Sequence, residues 1–354
     1  MCRDVNLKTL LATTAVIGCF LPAACSTDAD DGADVTSAPS TTLVAPPADS
    51  TVTSTSAASR EWILYEADQG HLLDIILVRR DGSDMHAVAP DVPGGDQTNP
   101  DWSPDGTRIV FAVTAEDRLD DLWTVDADGR NASMLLDCVE PCLFLDDPAW
   151  SPDGASIAYT RVADVDGSLT GTLETIDVAT GNVEVRATGA TSVFYAGARW
   201  SPDGSSIVAE VVELAGTTID ADLAGVTLAI LDLDAPGQQF RPLTDPSLFA
   251  ETADWSPDGE FIVYAAFPTA ESEQKDLYLV RPDGSGLVRL TTLADEGATA
   301  THPSISRDAS EVVFSGDGTQ LMTVPTVGGA VTSATGDVVV RGQHSRLLQY
   351  VEST

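Results

Sequence analysis

Basic residues are scarce in this chain. Eighteen Lys and Arg stand against 55 Asp and Glu, a formal net charge of −37, and only two lysines occur, Lys8 and Lys275. A surface of that sign repels phosphate backbones and anionic lipid headgroups, which excludes nucleic acid as a partner and leaves the membrane reachable only through a lipid anchor. It suits a saline habitat or a cationic partner, and a merely solvated acidic surface has the same composition. Histidine is equally sparse. His71, His86, His302 and His344 fall in separate segments, so no metal-ligand spacing is present and neither metal nor cofactor is expected. Asp126-Ala127-Asp128-Gly129 and Asp164-Val165-Asp166-Gly167 look like calcium loops but lack the further oxygen ligands and the late Glu, so they read as hairpin turns. No Gly-x-Ser-x-Gly nucleophile elbow occurs. Long apolar runs are missing too: Leu10 to Leu21 falls short of the roughly 20 residues that span a bilayer.

That short run reads instead as the apolar part of a signal peptide over residues 1–24, with Arg3 and Lys8 as its positive start. Leu21-Pro22-Ala23-Ala24-Cys25 resembles a bacterial lipobox, although Pro22 stands where an aliphatic residue is usual. The resemblance implies lipidation at Cys25. Val16-Ile17-Gly18-Cys19 matches the pattern better locally but leaves a very short apolar stretch, and cleavage without a lipid is the alternative. Residues 25–58 then form a tether of Ser, Thr, Ala, Pro and Asp without aromatics, unable to bury enough surface to fold. About 33 such residues reach roughly 30 Å. Of five cysteines, only Cys138 and Cys142 remain after Cys2, Cys19 and Cys25 are accounted for. In an oxidising compartment such a close pair is expected to be a disulfide, with free thiols as the alternative.

What is present in abundance is repetition. Trp102-Ser103-Pro104-Asp105-Gly106 recurs at Trp150, Trp200 and Trp255, and a worn copy, Ile305-Ser306-Arg307-Asp308-Ala309, follows. The steps are 48, 50, 55 and 50 residues, the period of a radially repeated fold. Ser, Pro, Asp and Gly suit the four positions of a type I turn closed by a left-handed residue. Branched and aromatic runs such as Arg108-Ile109-Val110-Phe111-Ala112-Val113 follow each copy and predict strands buried on both faces. Further on, Asp121 to Val125 and Asp276 to Val280 each lead into an Asp-Gly turn and another strand. Each unit thus holds four hairpin-linked strands, which predicts an all-β propeller of four-stranded antiparallel blades.

The run Pro100-Asp101-Trp102-Ser103-Pro104-Asp105-Gly106 with its downstream aromatic strand resembles the repeats of the TolB-type six-bladed β-propeller family, over residues 59–354. The resemblance implies a ring of blades around a central channel. It does not imply one activity. The family's extra α/β domain is replaced here by the tether, which puts TolB's own partners in doubt. No motif precedes Glu61 to Glu66, so the first blade lacks its innermost strand. Asp337-Val338-Val339-Val340-Arg341 is expected to pair there and close the ring, with Arg346 to Val351 adding to or capping the same blade.

The residues just before each Trp are expected at the channel: Asn99 and Asp101, Asp147, Arg199, Thr252 and Asp254, His302 and Ser304. They are polar and differ between units while the turn residues repeat, the pattern of a ligand-facing surface; a water-filled polar channel is the plainer alternative. The four Trp residues read as packing between neighbouring sheets. Together these features point to a monomeric, envelope-anchored extracytoplasmic protein that presents a propeller to a protein or glycan partner, catalytic residues none. The alternative is an extracellular carbohydrate- or peptide-acting enzyme with its site at the channel mouth.

Overall fold

The architecture grows from the turn. In the computed structural model the Ser103 hydroxyl donates to Asp105 Oδ1 at 2.6 Å and accepts the Arg108 N–H at 2.9 Å. The Gly106 N–H closes the turn on Ser103 O at 2.7 Å. The same hydroxyl bridge recurs at Ser151, Ser201, Ser256 and Ser306. The closing glycines all have positive φ, between 65° and 73°, and the worn copy forces Ala309 to 56°. Here glycine avoids a Cβ clash that alanine tolerates at a cost.

The structure describes residues 62–335 and 343–347, apart from 69–71, 90–91, 93–94, 115–119, 218–220, 236–238 and 318–319. The signal peptide, Cys25, the tether, His71 and Asp337–Arg341 lie outside the described residues. Six four-stranded antiparallel sheets form the blades of a β-propeller. Blade 2 is representative: Asp96–Trp102, Arg108–Thr114, Asp121–Asp126 and Ser133–Leu136 run from the innermost to the outermost strand. Cys142–Trp150, Val193–Trp200, Glu251–Trp255 and Ala300–Ile305 are the innermost strands of blades 3 to 6. Among the described residues no helix is long and apolar enough to cross a membrane.

Blade 1 shows how the ring closes. Trp62–Asp68, Leu73–Arg79 and His86–Ala87 come from the start of the propeller, and the innermost strand is Gln343–Leu347 from its end, with Ile63 opposite Leu347 and Leu64 opposite Arg346. Closure by the carboxy-terminal segment is as expected; the described strand that does it, 343–347, includes Arg346 and Leu347 of the stretch expected to add to this blade, and 337–341 lies outside the described residues. Gln343-His344-Ser345-Arg346-Leu347 has no strong β signature, and its place is fixed by the unpaired edge of Trp62–Asp68, which any extended segment can satisfy with backbone hydrogen bonds.

The core lies between blades. Trp102 packs with Leu64, Leu77, Ile109 and Phe111, from blades 1 and 2. Trp150 joins Val110 and Leu122 to Ile157 and Tyr159, and Trp255 joins Val208 and Leu228 to Ile262 and Tyr264. Ile305 takes the same place between blades 5 and 6. These three indoles are 5–9% exposed, which fits the packing role. Trp200 is less covered and packs against Ala158, Leu173 and Ile207.

Candidate functional site

Every innermost strand of blades 2 to 6 carries the same irregularity. The pairing register skips between Thr98 and Asp101, Asp146 and Ala149, Ala196 and Arg199, Glu251 and Asp254, and Thr301 and Ser304. Within each skip the residue three before the Trp, or before Ile305, has positive φ: Asn99 49°, Asp147 51°, Gly197 56°, Thr252 54° and His302 53°. This is a β-bulge, and it bends the strand and leaves one N–H unpaired by the ladder.

Side chains pair those N–H groups. Asn99 N–H donates to Glu66 Oε1 of blade 1, Gly197 N–H to Asp147 Oδ2 at 2.8 Å, Thr252 N–H to Glu210 Oε1 at 2.7 Å, and His302 N–H to Thr252 Oγ1 at 3.2 Å. Asp147 N–H donates to Asp146 Oδ1 at 2.9 Å, which also accepts Asn99 Nδ2–H at 2.7 Å. Each blade is thereby stapled to a neighbour. Four of the expected site residues, Asn99, Asp147, Thr252 and His302, stand in this ring of staples. Of their side chains, Asp147 and Thr252 each accept the bulge N–H of the next blade, and Asn99 donates to Asp146 of blade 3.

Glu66, Asp146 and Glu210 complete the ring, and the sequence reading missed them. A signal was available: Glu210 interrupts the run Ile207-Val208-Ala209, and Glu66 follows Ile63-Leu64-Tyr65, although a charge seldom sits inside such a strand unless it is paired. Burial, then Glu251 and Asp147 nearby, pushes the Glu210 carboxyl up to about 8. Asp146 is also raised, by burial and by Asp147.

The other four expected residues come together one level on. Asp101, Arg199, Asp254 and Ser304 line a cavity of about 400 Å³, with Ala149 at the equivalent place in blade 3. Its wall is the ring of motif residues, the Trp and Pro of blades 2 to 5. The turns touch: a Cβ on Gly154 would meet Pro104 Cγ at 3.4 Å, and one on Gly204 would meet Pro152 Cγ at the same distance. In the fifth copy Arg307 replaces the proline and stands exposed on the rim.

The two carboxylates of the cavity are partly used. Asp101 Oδ2 accepts Trp150 N–H at 2.7 Å. Asp254 Oδ2 accepts Ile305 N–H at 3.0 Å and the Ser304 hydroxyl at 3.1 Å, and its Oδ1 accepts Trp255 N–H at 3.0 Å. Loss of water raises both carboxyls to about 6, with Arg199 pulling in the opposite direction. Arg199 is 5% exposed; its Nη1 donates to Ala198 O at 2.6 Å, while Nε and Nη2 have no acceptor among the described residues. The arrangement can receive a ligand that brings acceptor atoms.

Cys138 and Cys142 are joined in a disulfide at the start of the innermost strand of blade 3, whose other end carries the cavity-lining Ala149 and Trp150. Among the described residues no group of three or more His, Cys, Asp or Glu is placed to hold a metal ion.

No protein-family model matches the chain, and no curated protein matches it by sequence. Solved structures share the fold. TolB from Acinetobacter baumannii superposes with a TM-score of 0.57 at 17% identity, over 84% of this chain and 68% of that one. A putative TolB from Agrobacterium tumefaciens gives a TM-score of 0.54 at 20% identity, over 80% and 90%. Oligogalacturonate lyase from Vibrio parahaemolyticus gives 0.53 at 14% identity, over 76% and 73%. At these identities the likeness is one of fold.

Proposed function

We propose that this chain, a TolB-like six-bladed β-propeller by fold, is an extracytoplasmic binding protein that seats a protein or glycan partner in the cavity ringed by its motif turns. One observation carries the reading. At the position just before the motif Trp, or Ile305 in the fifth copy, the blades supply Asp101, Ala149, Arg199, Asp254 and Ser304, four residue types at five positions bordering one cavity. A pocket that merely filled the centre of a repeat ring would be served by one residue repeated. The volume falls in the range of small-ligand sites, enough for a partner's protruding segment. A propeller also serves an oligogalacturonate lyase, so fold alone does not choose between binding and catalysis. Lipidation at Cys25 and a tether over 25–58 would hang the monomeric propeller from the envelope, outside the cytoplasmic membrane.

The test is crosslinking capture in intact cells read by mass spectrometry, with wild type, Arg307→Glu on the rim and Val183→Glu on the outermost strand of blade 3. Val183 is 45% exposed and lies on the periphery of the ring. Wild type and Val183→Glu should yield the same adduct, and Arg307→Glu a clearly different yield, because reversing a rim charge changes the rate of encounter. Equal yields from all three would reject the cavity as the recognition surface.

A further inference from the structure

Among the described residues, the buried side-chain atoms of the cavity lining that have no hydrogen-bond partner are all donors. Asp254 already accepts three donors and Asp101 holds the N–H of the next blade's Trp. On Arg199 the reverse holds. Nη1 is spent on Ala198 O, and the remaining pair, Nε and Nη2, forms the side edge of the guanidinium. Those two N–H groups point in parallel, the fork that matches two oxygens of one carboxylate. The indole N–H groups of Trp102 and Trp150, on the same wall, also have no acceptor among the described residues. In blades 4 and 5 the equivalent groups donate to the preceding blade, Trp200 to Ala149 O and Trp255 to Arg199 O, both at 3.2 Å. A buried donor without an acceptor costs on the order of 1–3 kcal/mol, more when it is charged, and several share one wall here.

We propose that the cavity binds the carboxy-terminal carboxylate of a peptide, with the free edge of Arg199 as its anchor. This rests on the reading of the cavity as a recognition site and narrows it to one chemical group. Both nitrogens of that edge are buried and Asp101 and Asp254 act on the same guanidinium, so binding requires the Arg199 side chain to turn toward the cavity. The surrounding field decides which carboxylate is favoured. With a net charge of −37 the protein repels polyanions at long range, so a chain of acidic sugars is opposed on approach. A peptide with basic residues is attracted as a whole and brings a single negative group to the one place that accepts it. The volume of about 400 Å³ admits a few terminal residues.

The probe is a pool of fluorescent hexapeptides built from lysine, alanine and leucine, offered to the purified protein with free or amidated carboxy-termini, with polygalacturonate as a competing arm. Free-carboxylate peptides should bind, and amidation should weaken binding by about tenfold or more, the loss expected for a charge-assisted fork. Arg199→Lys, which keeps the charge and loses the fork, should weaken binding of free peptides and narrow the gap between free and amidated peptides. The amidation comparison on wild-type protein needs no variant, so it stands even if Arg199→Lys misfolds. Absence of peptide binding, equal binding of free and amidated peptides, or binding of polygalacturonate in their place would overturn the proposal. In-cell capture that depends on Arg307 would survive such a result, so the two readings fail separately.

Discussion

Asp105 and Glu210 show opposite uses of a carboxylate. The Asp105 carboxyl is held below its usual range by the Ser103 hydroxyl first and then by the Thr107 N–H; Asp153, Asp203 and Asp258 are lowered chiefly through the equivalent serines, and Asp308 through the Ser310 hydroxyl and then Ser306. Each therefore contributes stability that is present above the ordinary Asp range and is lost as pH falls through the lowered value. Glu210 has the other sign. Its carboxyl rises from 4.5 to about 8, so the folded state keeps a proton that the unfolded chain has released. Stability from this group is present below 4.5 and is lost as pH rises through about 8. The groups that face it are Glu251, Asp147 and Lys275, the last paired with Glu251. Glu210→Gln keeps the acceptor for Thr252 N–H and removes the titration. Melting temperature measured from pH 5 to 9 should fall for wild type and fall distinctly less for Glu210→Gln, which should be the more stable of the two at pH 9. Parallel curves would show that Glu210 does not carry this dependence. The motif carboxylates were legible in the sequence because their partners lie two residues away. Glu210 was not, since the N–H it holds belongs to a strand 42 residues on.

The element that organises the channel is the bulged innermost strand. Its left-handed residue is Asn99, Asp147 or Gly197 in blades 2 to 4, types that tolerate the conformation, but Thr252 in blade 5 is β-branched and strained there. Thr252→Asn should relieve that strain while leaving a side-chain oxygen for the His302 N–H. Calorimetry should show a gain on the order of 1 kcal/mol, a rise of a few degrees for a domain of this size. A fall of similar size would mean that the Thr252 hydroxyl and methyl matter more than the backbone. The Trp-Ser-Pro-Asp-Gly turn could be read from residue types because it is local. The bulge could not, because it exists only as a mismatch between two paired strands. The recurrence of Asn, Asp and Gly three residues before the Trp was the one trace it left in the sequence. For the same reason the sequence did not show that Asn99, Asp147, Thr252 and His302 stand at the bulge, where one backbone group must be satisfied in each of blades 2 to 6.

At the scale of the whole molecule, the six sheets share one centre, and their order follows from the repeat period that the sequence displays. The closing strand was harder to place, because Gln343–Leu347 is selected by an open edge elsewhere in the ring and not by its own composition. The motif turns of blades 2 to 5 touch one after another, and the cavity lies among the motif residues, with Arg199 and Arg307 in its lining. That cavity is where chemical differences between otherwise equivalent blades accumulate, and a peptide end is a ligand that the acidic surface would not turn away.

A photoactivatable crosslinker placed singly at Arg307 on the rim, and at Val185 and Leu287 on the periphery, would test this most directly. Val185 and Leu287 are 52% and 60% exposed, so all three positions are reachable from solvent. A recognition cavity predicts a discrete adduct in living cells from position 307 and none from 185 or 287. Adducts from the peripheral positions with none from the rim would contradict it.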